Sequence, residues 1–192
     1  MARILIFQGH PDPEGGHFCH ALAAAYADGA REAAHEVRDI AVTGLNLPLL
    51  KSRADWAGEP PEPVRRRQQD IAWAEHIVII YPLWLGLMPA VLHAFLEQVM
   101  RPGFAVASGG RMGYTPLLKG RSARIVVTMG MPAFIYRWFF GAHSLKSLER
   151  NILRFCGIGP IRETLIGMVE KGGPARHEKL LAHMRALGRA AR

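Results

Sequence analysis

Long apolar runs and cysteines are scarce in this sequence, and each shortage excludes a class of protein. Prolines, a glycine and a histidine interrupt the most apolar segment, residues 77–96, so no stretch reaches the roughly 18 apolar residues of a membrane span. The two cysteines, Cys19 and Cys156, lie far apart and outside any CxxC motif. We therefore expect neither a disulfide framework nor a metal site. Because a strand begins almost at the N-terminus, we expect no secretory signal, and a cytoplasmic location.

Acidic residues are few relative to basic ones, and the imbalance is uneven. Residues 1–60 hold five Lys and Arg against eight Asp and Glu, whereas residues 61–192 hold nineteen against eight. A net charge of +8 suits an anionic cofactor, a nucleic acid or a membrane surface. The one dense cluster, Arg65–Arg67, opens a predicted helix without aromatic stacking residues. We interpret it as a solvated helix face and expect no nucleic-acid partner.

Strand and helix patterns alternate along the chain. Strands are predicted at 4–8, 35–40, 76–81, 124–129 and 160–169, the first and third of them buried, and helices at 18–29, 64–74, 89–100, 144–156 and 174–191. In the fourth helix, Ser144 is the predicted N-cap, Gly157 the predicted end, and Leu145, Leu148, Ile152 and Phe155 the predicted buried residues. Residues 43–63 and 102–120 are predicted loops. Five strands joined by helices predict one α/β domain over residues 1–192, with three layers.

The loop after the first strand, residues 9–19, is the first candidate binding site. It leads into a helix N-terminus, where free backbone N–H groups and the helix dipole suit a phosphate. Its glycines permit a ligand to approach the backbone closely. The loop matches neither GxGxxG nor GxxxxGK[ST]. An ordinary connecting loop remains the alternative interpretation.

Two further loops follow predicted strands, and we expect all three at one edge of the sheet. Residues 82–86 carry Trp84, whose flat side chain suits an aromatic ligand. The alternative is that Trp84 lies in the core or against a partner subunit. Residues 128–132 form the third loop, and Tyr136 and His143 follow it. A purely structural role for these two side chains stays open.

Together these segments resemble the flavodoxin-like NAD(P)H:quinone oxidoreductases, whose relatives include the modulator-of-drug-activity reductases and the ancillary reductases of potassium efflux systems. The similarity extends from Arg3 to about Lys171. It rests on the order and spacing of GHPDP…HFCHAL, YPLWLGLMPAVLHAFLEQVMRPGFA, LLKG, VVTMGMP and LRFCGIGPI. The resemblance implies a flavodoxin-like three-layer sandwich with a five-stranded parallel sheet in the order 2-1-3-4-5.

The resemblance also implies a site for FMN or FAD, with FMN slightly favoured. His10 matches the histidine beside the flavin phosphate, and the segment that wraps this phosphate matches His17, Phe18 and Cys19. Two loops match the family's segments around the flavin ring. Pro82, Leu83, Trp84 and Leu85 match the loop whose backbone amides face the ring, with Trp84 lying against it. Thr128, Met129 and Gly130 match the turn at the other edge of the ring.

The implied activity is two-electron transfer from NAD(P)H to a quinone-like acceptor. Nicotinamide gives a hydride to the flavin and leaves, and the acceptor enters the same pocket, which implies ping-pong kinetics. Tyr136 matches a tyrosine of the substrate pocket, and His143 is the nearest counterpart of the histidine that follows it. Both are the predicted hydrogen-bond donors to the acceptor. No metal is needed.

The sequence departs from the family in two places. His17 stands where a serine usually precedes the phenylalanine, after Gly15-Gly16, and residues 128–131 match neither of the usual turns after the fourth strand. We therefore expect weaker phosphate binding than in relatives, or loss of flavin on purification.

Assembly and alternative functions complete the sequence-based predictions. Residues 89–100, residues 134–140 and the loop at Trp56 carry more apolar surface than a monomer of this size exposes. We predict a twofold homodimer with the flavin site at its interface, as in the resembled enzymes. Two alternatives stay open. One is a flavin-bearing regulatory subunit with a membrane-transporter partner, and the other is a cofactor-free scaffold.

Overall fold

A parallel sheet forms the centre of the computed structural model, which describes residues 1–45, 47–110, 113–171 and 173–192. The strands are β1 (Arg3–Gln8), β2 (Glu36–Ala41), β3 (His76–Pro82), β4 (Val106–Ser108), β5 (Tyr114–Pro116), β6 (Ser122–Thr128) and β7 (Ile161–Ile166). Five of them pair in parallel in the order β2-β1-β3-β6-β7. Counted within this sheet, the order is 2-1-3-4-5, so the predicted flavodoxin-like α/β fold is confirmed.

Helices cover both faces of the sheet. They are α1 (Phe18–Glu32), α2 (Arg53–Ala57), α3 (Glu62–Trp73), α4 (Ala90–Val99), α5 (His143–Ser147) and α6 (Gly173–Arg189), with a π-helical turn, Leu148–Arg154, continuing α5. Helices α1 and α6 bury one face, and α3, α4 and α5 bury the other. Since side chains alternate along a strand, Ile4 and Ile6 face α1 whereas Leu5 and Phe7 face the opposite layer. Strands buried on both faces explain the unbroken apolar runs.

Two segments predicted as loops contain regular structure. Residues 43–63 include α2, whose N-cap Ser52 accepts the N–H of Asp55, and the first residues of α3. The guanidinium of buried Arg101 donates to the carbonyls of Asp55 and Gly58, so α2 is held against the end of α4. Residues 102–120 contain the antiparallel hairpin of β4 and β5. Asn46, Arg111 and Met112 of these predicted loops lie outside the described residues.

The predicted cap of the fourth helix was wrong. Helix α5 begins one residue earlier, at His143, with Ala142 as N-cap in the left-handed region (φ 49°). The alanine side chain has no oxygen that could cap the helix. The hydroxyl of Tyr136 acts as the cap instead, because it accepts the N–H of Leu145 at 3.2 Å. Ser144 lies inside the helix, where its Oγ is 2.7 Å from the same hydroxyl.

The far end of this helical region agrees with the sequence except at Ile152, which is half-buried, and at Phe155. Gly157 ends it with φ 94°, as predicted. Phe155 is 37% exposed rather than buried. Its ring packs at the surface against Tyr114 of the hairpin, with ring centroids 4.3 Å apart. Leu153 takes the buried position. None of the helices within the described ranges combines the length and apolar character that crossing a membrane requires.

Candidate functional site

The three candidate loops meet at the carboxyl edge of the sheet, as predicted. The Leu83 N–H donates to the Thr128 carbonyl at 2.8 Å, which joins the loops after β3 and β6. The Cys19 Sγ lies 3.2 Å from Thr128 Oγ1, which joins α1 to the same residue. The Trp84 ring meets the His10 ring edge-on at 6.3 Å. The loops after β1 and β3 flank the point where the strand order reverses, the usual ligand crevice of such sheets.

The loop after β1 leaves backbone donors free at the start of α1. Gly15 and Gly16 have φ of 79° and 75°, and a Cβ at either would have no neighbour within 4 Å. Two consecutive left-handed residues turn the chain sharply into the helix. Among the described residues, no acceptor faces the N–H groups of Phe18 and Cys19. These groups and the dipole of a 15-residue helix form an anion-binding geometry.

Three histidines gather over this helix N-terminus. The rings of His10 and His17 stack with centroids 3.9 Å apart, and the His20 ring lies 5.1 Å from His10 and 5.7 Å from His17. Burial, followed by the nearby His17, lowers the pKa of His10 and of His20. The imidazole of His17 is 2.6 Å from the Asp12 carboxylate, and this hydrogen bond lowers the Asp12 pKa.

The side chains of Phe18 and Cys19 do not face the histidines' crevice. Phe18 packs on His177 of α6 with centroids 4.4 Å apart. Cys19 is buried against Thr128, and burial raises the pKa of its thiol to about 11, so this thiol is unreactive. The predicted wrapping of a phosphate by this segment's short polar side chains is therefore corrected. Its backbone N–H groups remain the available donors.

The loop after β3 uses most of its own amides internally. Trp84 and Leu87 exchange backbone hydrogen bonds of 2.9 and 2.8 Å across a tight turn. Leu85 and Gly86 occupy its centre with φ of 47° and 76°, the pattern of a type I′ turn. The Leu83 N–H is taken by Thr128, and Pro82 has no N–H. The prediction that the amides of residues 82–85 face a ring therefore narrows to Leu85.

The loop after β6 has one buried and one open part. Thr128 and Met129 are buried, and the Met129 N–H donates to the Ile166 carbonyl at 2.9 Å. Gly130 is exposed, and a Cβ there would meet nothing within 4 Å. A ligand at the sheet edge therefore meets Gly130, with Thr128 behind it as the residue that joins the other loops.

Tyr136 is not placed as the resemblance implied, whereas exposed His143 stays a predicted hydrogen-bond donor. Tyr136 is 2% exposed, and its hydroxyl is occupied by Ser144 and by the Leu145 N–H. Its predicted role in lining a substrate pocket is corrected to capping α5, because a buried hydroxyl needs internal partners. His143 is exposed, and its ring lies over Gly141.

An apolar cavity of about 470 Å³ opens beside Trp84. It lies between the loop after β3, the start of α4 and the region of α5, and its lining residues are Trp84, Leu85, Leu87, Met88, Pro89, Ala90, His93, Ser144, Ser147 and Ile152. Neither Tyr136 nor His143 belongs to this lining. A cavity of this size and character fits a small aromatic or aliphatic molecule.

Sequence reasoning assigned no role to three side chains that contribute to the site, those of Asp12, His20 and Thr43. Asp12 holds His17, and the Thr43 Oγ1 donates to the His10 carbonyl at 2.5 Å. His20 follows the predicted segment HFC by one residue, so its position in the first turn of α1 was the available signal. Within the described ranges, no cluster of His, Cys, Asp or Glu has the arrangement of a metal site.

Comparison with known proteins places these features in a family. A family model described as "Flavodoxin-like fold" matches residues 2–190. The chain is 28% identical over 196 residues to an FMN-dependent NADH:quinone oxidoreductase of Nitratidesulfovibrio vulgaris, covering 91% of this chain and 90% of that protein. It is 31% identical over 110 residues to an uncharacterized NAD(P)H oxidoreductase of Haemophilus influenzae, covering 56% of this chain and about half, 53%, of that protein.

A solved structure agrees with these matches. The crystal structure of Smu.1420 from Streptococcus mutans superposes with a TM-score of 0.84 and 26% identity, covering 98% of this chain and 99% of that one. The sheet order, the loops at its carboxyl edge and the family match over residues 2–190 confirm the resemblance seen in the sequence. This chain belongs to the flavodoxin-like fold family.

Proposed function

We propose that this protein is an FMN-dependent oxidoreductase that passes two electrons from NAD(P)H to quinone-like acceptors. One observation carries the proposal: free N–H groups of Phe18 and Cys19 lie in the same crevice as the exposed ring of Trp84. A phosphate at the first and an aromatic ring at the second describe a flavin mononucleotide. A relative named as an FMN-dependent NADH:quinone oxidoreductase supports the same cofactor and donor.

The residues present fit this cofactor. The Phe18 and Cys19 N–H groups and His10 would hold its phosphate, and the space beside Gly15 and Gly16 is open. Trp84 would lie against its ring. At the ring's other edge, Gly130 leaves room, and Leu85 offers a backbone N–H that no described residue accepts. FAD would use the same phosphate donors. We assign none of the described residues to the adenosine of FAD, so we favour FMN.

The chain's own residues orient the reactants and exclude water. When bound, FMN supplies the redox chemistry, and the protein positions it. The apolar cavity beside Trp84 would hold the acceptor out of water. If nicotinamide and acceptor use this one opening in turn, the kinetics are ping-pong. Tyr136 acts indirectly in this proposal, by fixing the start of α5 beside the cavity, and exposed His143 is the candidate proton donor to an acceptor.

We also propose a twofold homodimer. Phe134 is 65% exposed, and Trp138 and Phe139 are each 81% exposed. With the exposed loop at Trp84, they form more apolar surface than a free monomer tolerates. Packing against a second copy would cover this surface and enclose the flavin crevice. Sedimentation of a 21.2 kDa chain at micromolar concentration tests this, because a monomer mass would contradict it.

The decisive experiment identifies the bound flavin and the reaction it supports. The purified protein should absorb near the flavin bands, release FMN on denaturation, and sustain repeated oxidation of NADH or NADPH when a quinone is present. The two cysteines are free, so the purification uses reducing conditions. For the same reason we propose a cytoplasmic location. A colourless protein that neither binds added FMN nor consumes NAD(P)H would contradict the proposal. Colour without turnover would favour the regulatory subunit of a transporter.

A further inference from the structure

His20 and His10 each have one ring nitrogen fixed by a backbone donor. The Asp12 N–H donates to His10 Nδ1 at 3.2 Å, and the His17 N–H donates to His20 Nδ1 at 3.3 Å. A nitrogen that accepts a hydrogen bond carries no proton, so in each neutral ring the proton lies on Nε2. Both rings therefore present an Nε2–H donor.

These two donors have no partner within the described residues. No hydrogen bond from Nε2 of His10 or His20 occurs there, although His10 is only 8% exposed. An imidazole N–H that no protein acceptor uses is available to a ligand or to water. The His10 ring stacks on the ring of His17, the N-cap of α1, at 3.9 Å, so it lies in the same crevice as the free N–H groups at the start of α1.

His17 differs from its two neighbours. Its Nε2 is 2.6 Å from the Asp12 carboxylate, so its donor is already used. This pair also places Asp12, a negative charge, against an imidazole rather than against an incoming anion. The histidine that replaces the family's usual serine is thus a partner of Asp12.

From this geometry we infer that His20, with His10, binds the phosphate of the flavin as a neutral Nε2–H donor, whereas His17 holds Asp12 away from it. This inference rests on the proposed function. It assigns the phosphate donors of this chain to two backbone N–H groups and two imidazoles. Burial, followed by the nearby His17, lowers the pKa of both rings, which favours their neutral forms. A lysine or arginine is then unnecessary for holding the phosphate.

The test compares two substitutions of His20 that separate its nitrogens. In His20→Asn, the side-chain oxygen replaces Nδ1 and continues to accept the His17 N–H, but the Nε2 donor is lost. In His20→Gln, the amide nitrogen extends to the Nε2 position and preserves a donor. His183→Gln is the matched control. His183 is an exposed histidine of α6 that belongs to none of the three loops. Each variant's affinity is measured for FMN and for riboflavin, which lacks the phosphate.

We expect His20→Asn to weaken FMN binding about tenfold or more, as for a lost hydrogen bond to a charged group, with riboflavin binding unchanged. His20→Gln should retain most of the FMN affinity. Equal losses for both flavins, or no loss of FMN in His20→Asn, would overturn the inference. Wild-type protein that binds neither flavin would instead contradict the proposed function, so the two failures are distinguishable.

A second measurement does not depend on any variant. Long-range ¹H–¹⁵N correlation spectra report which imidazole nitrogen carries the proton. We expect His10 and His20 as Nε2–H tautomers, with FMN shifting both Nε2 resonances and riboflavin shifting neither. A proton on Nδ1 of His20, or identical shifts with the two flavins, would contradict the assignment.

Discussion

The loops after β1 and β3 flank the same crevice but use their backbones in opposite ways. The first turns through Gly15 and Gly16, and no described residue accepts the N–H groups of Phe18 and Cys19. The second closes on itself, with Trp84 and Leu87 satisfying each other. An anion needs free donors, and a flat ring needs an exposed flat surface.

This difference teaches which kind of substitution each loop tolerates. In the first loop, side-chain charge near the helix N-terminus should matter more than side-chain shape. In the second, the shape of Trp84 should matter, and among the backbone amides only that of Leu85 should contribute. FMN and riboflavin separate the two loops, because only FMN carries the phosphate.

The largest effect should come from His17→Asp in the first loop. The substitution places a second carboxylate beside Asp12 and removes the imidazole that pairs with it. Repulsion of the phosphate should weaken FMN binding by about 1–3 kcal/mol. Fluorescence quenching measures the affinity. His17→Asn, which is neutral, is the control, and riboflavin should bind both variants equally. Equal FMN affinity in the Asp and Asn variants would show that no phosphate binds here.

Tyr136, which follows the third loop, sharpens the comparison because its hydroxyl is bonded to groups within the protein. Tyr136→Phe leaves the Leu145 N–H and Ser144 Oγ without this partner, which should lower the free energy of unfolding by about 1–2 kcal/mol. The unfolding midpoint should fall by about 2–4 °C per kcal/mol. Tyr114→Phe is the control, because its hydroxyl has no partner among the described residues. Lost turnover with unchanged stability would restore Tyr136 as a substrate-binding residue.

Trp84→Ala tests the second loop. Removing the ring should weaken FMN and riboflavin binding alike, by about 0.5–1.5 kcal/mol, the usual contribution of an aromatic pair. Trp56→Ala is the matched control, because Trp56 is also partly exposed but lies on α2. If Trp84→Ala weakened FMN but spared riboflavin, Trp84 would be acting on the phosphate, and the contrast between the loops would fail.

The smallest effect should be a gain in stability from Leu85→Gly. Leu85 is fully exposed and has φ 47°, so its side chain adds strain and no packing. Relieving left-handed strain of about 1–2 kcal/mol, less the entropy cost of a glycine, should stabilise the fold by about 0.5–1 kcal/mol. Thermal unfolding measures this. Gly86→Ala should have the opposite sign, since Gly86 has φ 76° with open space around it.

Much of the fold could be predicted because strands buried on both faces leave a clear sequence signal. The run His76–Pro82 and its two neighbours in the sheet, Arg3–Gln8 and Ser122–Thr128, are mostly apolar and buried. The loops 43–63 and 102–120 were less predictable, because α2 depends on a distant residue, Arg101, and the β4–β5 hairpin on short polar strands.

The sequence by itself determined the sheet, the order of its elements and the location of three loops at its carboxyl edge. Apolar periodicity and turn residues are local properties, and parallel connection rules leave few arrangements for them. Those properties also carried the resemblance to the family.

Only the tertiary structure decided which groups in those loops are free to bind. The Tyr136 hydroxyl is used by α5, the Leu83 N–H by Thr128, and the His17 imidazole by Asp12. Within the part of the chain that the structure describes, His20 Nε2 and two N–H groups of α1 have no partner. Whether a donor is satisfied depends on an acceptor that is elsewhere in the chain, and spacing along the sequence cannot specify that distance or angle.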